Sequence, residues 1–357
     1  MRVLAPLVAT VAVAVTAGSA PADPGEIVYT VLYDDPFGDF DAATRAAIDA
    51  HVLAAGAEWD ALLIGAASIE VLVTVTRDIP RATGASVTSS FVGFDGQFNV
   101  FEQGMAGEIN TGADPNGSGG PDVELTLNPD YLFGELWLDP DPVARTASVP
   151  ASRTDAMSVF VHEFGHAIAY NGWIDGVTGQ LPGDFRSPFD AWTEPVGGDF
   201  FFAGPNAVAL RDEPSALTFA NPFHWGNRPP RAGEELIPEL MNGVVFERGV
   251  RYEIGPLDRA VLLDVGLEVV PTSPGDYDAD GALSPNDLLV WSRSFGLDGL
   301  ALADGNGDGR VDAADYTIWR DASASASIPV PEPRSLLVGL LGVLAASGRF
   351  PPMSACS

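Results

Sequence analysis

Two histidines and a glutamate, His162, Glu163 and His166, lie close enough in the chain to do chemistry together. Thr154 or Asp155 can cap a helix before them, and the apolar residues that follow recur at helical spacing. These apolar residues are Met157, Phe160, Val161, Phe164 and Ile168. On a helix both imidazoles project from one face and can hold one zinc ion, while Glu163 polarises a water molecule and passes its proton to a leaving amine. The spacing predicts a buried helix that carries a hydrolytic zinc site.

A catalytic zinc ion needs a third protein ligand and one open position for water. The chain has four histidines, and a carboxylate can also be the third ligand. The candidates outside the helix are His51, His224, Asp175, Asp190 and Glu194. His51 lies on an amphipathic helix predicted over residues 42–63, where a surface or capping role is expected. His224 lies in a loop-like stretch that no core-packing argument explains, so it is the expected ligand, with Glu194 and Asp175 as the alternatives.

The zinc-ligand motif resembles the metzincin clan of zinc peptidases. The residues that carry the resemblance are His162-Glu163-Phe164-Gly165-His166, the distant His224, Leu240-Met241-Asn242-Gly243 and Ile254-Gly255-Pro256-Leu257-Asp258. The long gap before His224 is similar to that of the leishmanolysin family. The resemblance implies that Met241 is the Met-turn residue beneath the zinc and that residues 256–266 form a closing helix. As the third ligand, Glu194 would be typical of gluzincins and Asp175 of aspzincins.

The chain departs from the metzincin pattern after the second histidine. That pattern places glycine at position 169 and histidine at position 172, whereas this chain has Ala169 and Gly172. Gly172 is expected to supply the left-handed turn that ends the helix. This departure bears on the identity of the third zinc ligand. It does not bear on His162 and His166 as the first two.

Three apolar or alternating segments upstream of the motif predict β-strands, over residues 27–32, 69–75 and 122–127. With the helices they suggest the mixed sheet of a zincin. In such folds the edge strand lies along the cleft and pairs with an extended peptide substrate. Segment 122–127 is therefore expected to be either that edge strand or an ordinary strand of the sheet.

Two acidic loops with matching spacing follow a linker predicted at residues 271–274. Ca²⁺ coordination requires oxygen ligands at positions 1, 3, 5 and 12, a backbone carbonyl at position 7 and a sharp turn at a glycine in position 6. The residues at positions 1, 3, 5, 7 and 12 are Asp276, Asp278, Asp280, Ala282 and Asp287 in the first loop, and Asp304, Asn306, Asp308, Arg310 and Asp315 in the second. Each loop leads into an apolar helix, predicted over 288–295 and 316–319. The duplication predicts two structural calcium sites.

The duplicated loop and helix, over residues 275–322, resembles a type I dockerin, in which Asp fills position 12. The resemblance implies docking onto a cohesin-like protein partner. Without calcium the clustered carboxylates repel one another, so the module is expected to unfold.

The two ends of the chain predict where the protein goes. Residues 1–22 begin with Arg2, continue through an apolar segment and end in small residues, as a secretory signal does. Near the other end, an Ala/Ser linker at 323–329 precedes Val330-Pro331-Glu332-Pro333, an apolar stretch and Arg349. Segment 330–357 resembles a PEP-CTERM sorting tail, which implies processing by an exosortase-like enzyme. The expected location is outside the cell or at the envelope of a Gram-negative-type bacterium.

Composition excludes several classes of protein. The formal net charge is -31 and all 18 basic residues are arginines that form no cluster, so nucleic acid is not an expected partner. The single cysteine, Cys356, stands at the C-terminal end and excludes a disulfide framework or a thiolate zinc site. Hydrophobic residues make up 46% of the chain, which argues against wholesale disorder.

Together these features predict an α+β protein. A metzincin-like domain over 23–270, with a mixed sheet and an active-site helix, precedes a small all-α calcium module. The predicted function is a secreted zinc endopeptidase that acts on a protein or peptide substrate with one catalytic Zn²⁺ and two structural Ca²⁺. The alternative is a non-catalytic matrix or adhesion protein that retains a structural zinc site and docks through calcium. Glu163 favours the enzyme, because a purely structural site does not need it.

Overall fold

The computed structural model describes residues 25–117 and 120–325. The predicted signal segment and sorting tail lie outside these residues, which form an α+β structure. Its strands are β1 Ile27–Asp34, β2 Ala67–Val75, β3 Ala82–Ser86, β4 Ser89–Phe94, β5 Asn99–Gln103, β6 Val123–Leu127, β7 Leu136–Trp137, β8 Thr154–Asp155, β9 Phe185–Arg186, β10 Thr193–Val196, β11 Asp199–Phe202, β12 Ser215–Thr218 and β13 Asn221–Trp225. Its α-helices are α1 Ala42–Asp60, α2 Gly104–Thr111, α3 Pro129–Gly134, α4 Ala156–Ile168, α5 Pro188–Ala191, α6 Pro205–Arg211, α7 Pro256–Asp264, α8 Pro285–Ser294 and α9 Ala313–Ser325. Within the described ranges, no helix combines the length and the apolarity needed to cross a membrane.

The sheet beneath the zinc-ligand motif has the strand order β1-β2-β6-β3. β1, β2 and β6 run parallel, and β3 runs antiparallel to β6. Every second residue of β2 is buried, as expected for a strand with one face against helices. Of the two expectations for segment 122–127, the ordinary sheet strand is confirmed and the edge strand is wrong, because β6 lies between β2 and β3. The edge strand on that side is β3. Its sequence, Ala-Thr-Gly-Ala-Ser, has no apolar alternation, so no strand was predicted there.

Helix α1 packs against helix α4, which carries His162 and His166. The fully buried Trp59 donates its indole N–H to the backbone oxygen of Val161, at 2.9 Å. The helix predicted over 42–63 ends slightly earlier, at Asp60. His51 was expected at the surface or in a cap, but it is only 1% exposed. Its Nδ1 lies 2.7 Å from the Ala47 oxygen and its Nε2 accepts the Asp139 N–H, so His51 is a core residue and is not a metal ligand.

A second sheet has the antiparallel order β10-β11-β12-β13. The stretch around His224 was expected to be a loop, and this expectation is wrong, because His224 lies on β13. Trp225, on the same strand, is fully buried against the aromatic rings of Tyr170 and Phe202. The core packing of Trp225 therefore fixes where His224 stands.

The two acidic loops and their helices form one small core with an internal twofold pattern. The Trp291 indole N–H donates to the Asp312 oxygen at 2.8 Å, and the Trp319 indole N–H donates to the Ser284 oxygen at 3.1 Å. Each tryptophan thus binds the loop of the other repeat. Helices α8 and α9 contain the predicted segments 288–295, apart from its last residue, and 316–319. Helix α9 continues to Ser325, so the linker predicted from 323 begins as helix.

This module contacts the larger domain through Asn206, at the start of α6. The Asn206 side chain accepts the Leu302 N–H at 2.9 Å and donates to the Leu300 oxygen at 3.1 Å. It also donates to the carboxylate of Asp264 on α7, at 2.9 Å. Asn206 is 1% exposed, so these hydrogen bonds are shielded from water.

Candidate metal centre

Helix α4, which carries the motif, begins at a side-chain cap and ends without a left-handed glycine. The Asp155 carboxylate accepts the Ser158 N–H at 3.2 Å, as predicted for a cap. At the other end Ala169 has a φ of -138°, and Gly172 has no positive φ, so the turn expected at Gly172 is absent. Gly172 serves close packing instead, because a Cβ there would come within 2.3 Å of the Asp190 Oδ1.

His162, His166 and His224 bring their Nε2 atoms together. The distances are 3.1 Å between His166 and His162, 2.9 Å between His166 and His224, and 3.2 Å between His224 and His162. Nitrogens held about 2.0–2.1 Å from a tetrahedral zinc stand about 3.3–3.4 Å apart, so this triangle fits a single ion closely. Helix α4 supplies two corners of the triangle and β13 supplies the third.

The second nitrogen of each helical histidine fixes which tautomer is present. His162 Nδ1 lies 2.8 Å from the Leu240 oxygen, and His166 Nδ1 lies 2.7 Å from the Tyr170 oxygen. A carbonyl oxygen only accepts, so each Nδ1 carries the proton and each Nε2 presents a lone pair. Lone pairs that face one another at about 3 Å repel unless a cation stands between them, which is the chemical argument for a metal here.

Burial keeps the three histidines neutral, as metal ligation requires. It lowers the pKa of His162 to about 3, with repulsion from His166 as a further cause, and that of His166 to about 4. Burial, followed by repulsion from the other two histidines, holds the pKa of His224 well below its usual value.

Glu163 lies beside the triangle and faces a cleft of about 460 Å³. Burial raises the pKa of the Glu163 carboxyl to about 8, and a hydrogen bond from the Gly84 backbone N–H opposes the rise. The cleft is bounded by β3 and the chain before it on one side and by the segment after Met241 on the other. Its lining includes Pro80, Arg81, Ala82, Tyr131, His162, Glu163, His224, Gly243, Val245 and Phe246. The β3 side of the cleft was not predicted, because none of its residues is of a type that indicates catalysis or metal binding.

Met241 lies beneath α4, against Gly165, which directly precedes His166. Its side chain is fully buried, and a Cβ on Gly165 would come 2.6 Å from its Sδ atom. Its backbone oxygen accepts the Trp225 N–H at 2.8 Å. The neighbouring Leu240 oxygen contacts His162, so one short turn supports two of the three histidines.

The structure does not bring the carboxylate candidates to the histidines. Asp175 is exposed and accepts the N–H groups of its own turn. Glu194 is exposed on β10. Asp190 is buried but accepts the N–H groups of Trp173 and Ser187, which makes it part of a local turn and helix cap. Of the weighed candidates, His224 alone joins His162 and His166 in a group that fits a metal ion.

The first acidic loop gathers three of its predicted ligands. Oxygen atoms of Asp276, Asp278 and Asp287 lie within 4.8 Å of one another. The Asp287 carboxylate also accepts the N–H groups of Tyr277 and Ser284, at 2.8 and 2.7 Å. Asp280 stands outside this group, and its Oδ1 accepts the Ala282 N–H. A carboxylate cluster of this kind suits a hard cation such as Ca²⁺.

The second acidic loop repeats the hydrogen bonds of the first. Asp315 accepts the N–H groups of Gly305 and Asp312, as Asp287 does at the equivalent positions. Here Asp304 accepts three backbone N–H groups, from residues 307, 308 and 309, and the Asn306 amide donates to Asp308. Its carboxylates are not among the groups of described residues that converge within 4.8 Å.

Comparisons of the chain with protein-family models, with curated proteins and with solved structures found no match.

Proposed function

We propose that this chain is a zinc-dependent endopeptidase of metzincin type. The observation that carries the proposal is the triangle of Nε2 atoms of His162, His166 and His224, with Glu163 beside it in an open cleft. A structural zinc site is closed by four protein ligands, whereas a site for chemistry keeps one position open. Three converging histidines and an adjacent carboxylate have the composition of the second kind.

Each residue of the site has a role in peptide hydrolysis. The three imidazoles would hold a zinc ion, which would supply a Lewis acid toward water and the peptide carbonyl. Glu163 accepts a proton from that water and passes it to the leaving amine. Met241 is the Met-turn residue that packs under the ligands. Leu240 and Tyr170 orient His162 and His166 through their backbone oxygens.

Strand β3 is the element proposed to hold the substrate. It has a strand neighbour, β6, on one side only among the described residues, and Ala82 lines the cleft. An extended peptide that pairs with an edge strand gains main-chain hydrogen bonds without a demand on its sequence. This arrangement supports a protein or peptide substrate.

The remaining features complete the proposal. We infer that residues 275–322 form a dockerin-like calcium module that binds a cohesin-like partner, supported by the paired loops and the exchanged tryptophan hydrogen bonds. We also propose that the protein is exported and that its C-terminal segment is a PEP-CTERM-like tail processed by an exosortase-like enzyme. These two statements rest on the sequence alone.

The experiment compares zinc content and casein cleavage in four forms of the protein. Wild type is expected to hold one zinc ion and to cleave. Glu163→Gln is expected to keep its zinc and to lose about 10²-fold or more of the activity, because the proton acceptor is gone. His224→Ala is expected to lose zinc and activity together. Glu194→Gln, which changes an exposed carboxylate away from the triangle, is the control and is expected to match wild type.

Two outcomes would overturn parts of this proposal. Zinc retained by His224→Ala but lost from Glu194→Gln would move the third ligand to a carboxylate. Equal cleavage by wild type and Glu163→Gln would remove the catalytic role of Glu163, and the alternative of a structural zinc in a matrix or adhesion protein would then be the better description.

A further inference from the structure

A third acidic group lies in the larger domain, away from both the histidines and the loops of the module. Carboxylate oxygens of Glu108, Asp114 and Asp122 stand within 4.8 Å of one another. Glu108 comes from helix α2, Asp114 from the loop that follows it, and Asp122 from the residue before β6. No sequence motif brings them together, because the three residues belong to different elements.

Two of these carboxylates are buried, and each accepts a backbone N–H through one of its oxygens. Glu108 is 3% exposed and Asp122 is 1% exposed. Glu108 accepts the Ser68 N–H at 2.8 Å through Oε1, and Asp122 accepts the Glu70 N–H at 2.9 Å through Oδ2. These hydrogen bonds fix both side chains to strand β2. The second oxygen of Asp122, Oδ1, accepts an N–H of the Asn116 amide at 3.2 Å.

An oxygen atom that points into the group has no partner. Glu108 Oε2 is buried and makes no hydrogen bond in the described structure. No arginine among residues 25–117 and 120–325 forms an ion pair with Glu108, Asp114 or Asp122, and the chain has no lysine. Glu108 thus accepts one hydrogen bond, from the Ser68 N–H, and has no counter-charge. A buried carboxylate that is only half satisfied is costly, so a missing cation is the simplest complement.

We propose that Glu108, Asp114 and Asp122 bind a calcium ion that belongs to neither module loop. The donor set consists of oxygen atoms alone, which selects a hard cation over zinc. Its irregular arrangement, drawn from a helix, a loop and a strand end, suits the flexible coordination of Ca²⁺ better than the strict octahedron of Mg²⁺.

The ion would fasten α2 to the sheet next to the zinc-ligand helix. Glu108 on α2 already contacts β2, and Asp122 directly precedes β6, so a cation between them links three neighbouring elements. Helix α2 in turn packs against α4. The site is thus placed to stabilise the scaffold of the zinc-binding domain, and it does not depend on whether that domain is a peptidase.

The test measures bound calcium per chain in the full protein after dialysis at a fixed free calcium concentration, with zinc content as an internal reference. Glu108→Gln is expected to bind one calcium fewer than wild type and to keep its zinc. Asp114→Asn is expected to weaken that one site about tenfold or more, because fewer charges face the ion. An asparagine at 114 still accepts the N–H groups of Asn116 and Gly117, so its turn remains intact. Glu124→Gln, an exposed carboxylate near Asp122, is the control and is expected to leave the count unchanged.

A second readout separates a bound cation from protons shared among the carboxyl groups. If calcium binds, Glu108→Gln lowers the unfolding temperature in calcium but raises it in a calcium-free buffer that contains zinc, because there it removes an uncompensated buried charge. Equal calcium content in wild type, Glu108→Gln and Asp114→Asn would overturn the proposal. A Glu108→Gln effect of the same sign with and without calcium would overturn it as well.

Discussion

Gly165 is the residue on which packing beneath the three histidines depends. It stands between His162 and His166 on α4, and the space where a side chain would be is filled by the sulfur of Met241 and the ring of Trp59. A larger residue there has to displace one of these buried side chains. Since both lie under the three histidines, the displacement reaches the candidate metal site itself.

Gly165→Ala is therefore expected to lower the free energy of unfolding by about 1–3 kcal/mol, the usual cost of overpacking a core. Zinc should also bind more weakly, because the histidines move with the helix. Chemical denaturation and a competitive zinc titration measure the two effects. Gly134→Ala is the matched control: its Cβ meets nothing within 4 Å, and alanine suits a helix slightly better than glycine. If both variants prove equally stable, the close contact with Met241 is not a constraint.

At the scale of elements, the contact between β3 and α4 shapes the cleft. Gly84 allows it, because a Cβ there would come 2.3 Å from the backbone oxygen of Glu163 and 2.6 Å from its Cβ. Neither atom can swing aside as a flexible side chain does. The strand proposed to hold the substrate and the helix that carries the proton acceptor are thus in contact through a glycine.

Gly84→Ala is expected to push β3 away from α4. Stability should fall by about 1–3 kcal/mol and peptide cleavage should fall further than stability explains, since the strand and Glu163 separate. Activity measured well below the unfolding temperature separates the two effects. Gly93→Ala on β4, where a Cβ meets nothing within 4 Å, provides the control. Normal activity in Gly84→Ala would show that the spacing of β3 and α4 does not govern cleavage.

At the scale of the whole molecule, part of the net charge of -31 is concentrated in the two acidic loops. Asp276, Asp278 and Asp287 are largely buried and close together, and desolvation followed by repulsion from Asp287 raises the pKa of Asp278 to about 7. A calcium ion bound by these carboxylates would relieve both costs at once, so the module is expected to be stable only with the ion bound.

Removal of calcium, with zinc retained in the buffer, is expected to unfold residues 275–322 before the larger domain. Each site contributes about 2.7 kcal/mol when calcium is roughly 100-fold above its dissociation constant. Limited proteolysis and thermal unfolding, with and without calcium, measure the effect. Asp278→Asn is expected to reduce the calcium-dependent rise in unfolding temperature, whereas Asp321→Asn, on the exposed face of α9, should not. A module that resists proteolysis equally without calcium would contradict this account.

Local patterns determined much of this protein. That His162 and His166 share one face of a helix follows from the helical period alone. The helix cap at Asp155 and the matching positions of Asp287 and Asp315 in the two acidic loops were likewise visible in short stretches of sequence. The α+β composition followed from the same kind of pattern, because periodicity is a property of neighbouring residues.

Tertiary structure decided what depends on distant contacts. β3 became the edge strand through pairing with β6, although its own sequence has no strand pattern. His51 became a core residue because the Asp139 backbone reaches its ring, and Glu108, Asp114 and Asp122 meet only once three elements have packed. The sequence by itself therefore determined which residues can do chemistry at short spacing. The tertiary structure decided which distant side chains share a site, because that depends on how sheets and helices pack and not on the order of residues along the chain.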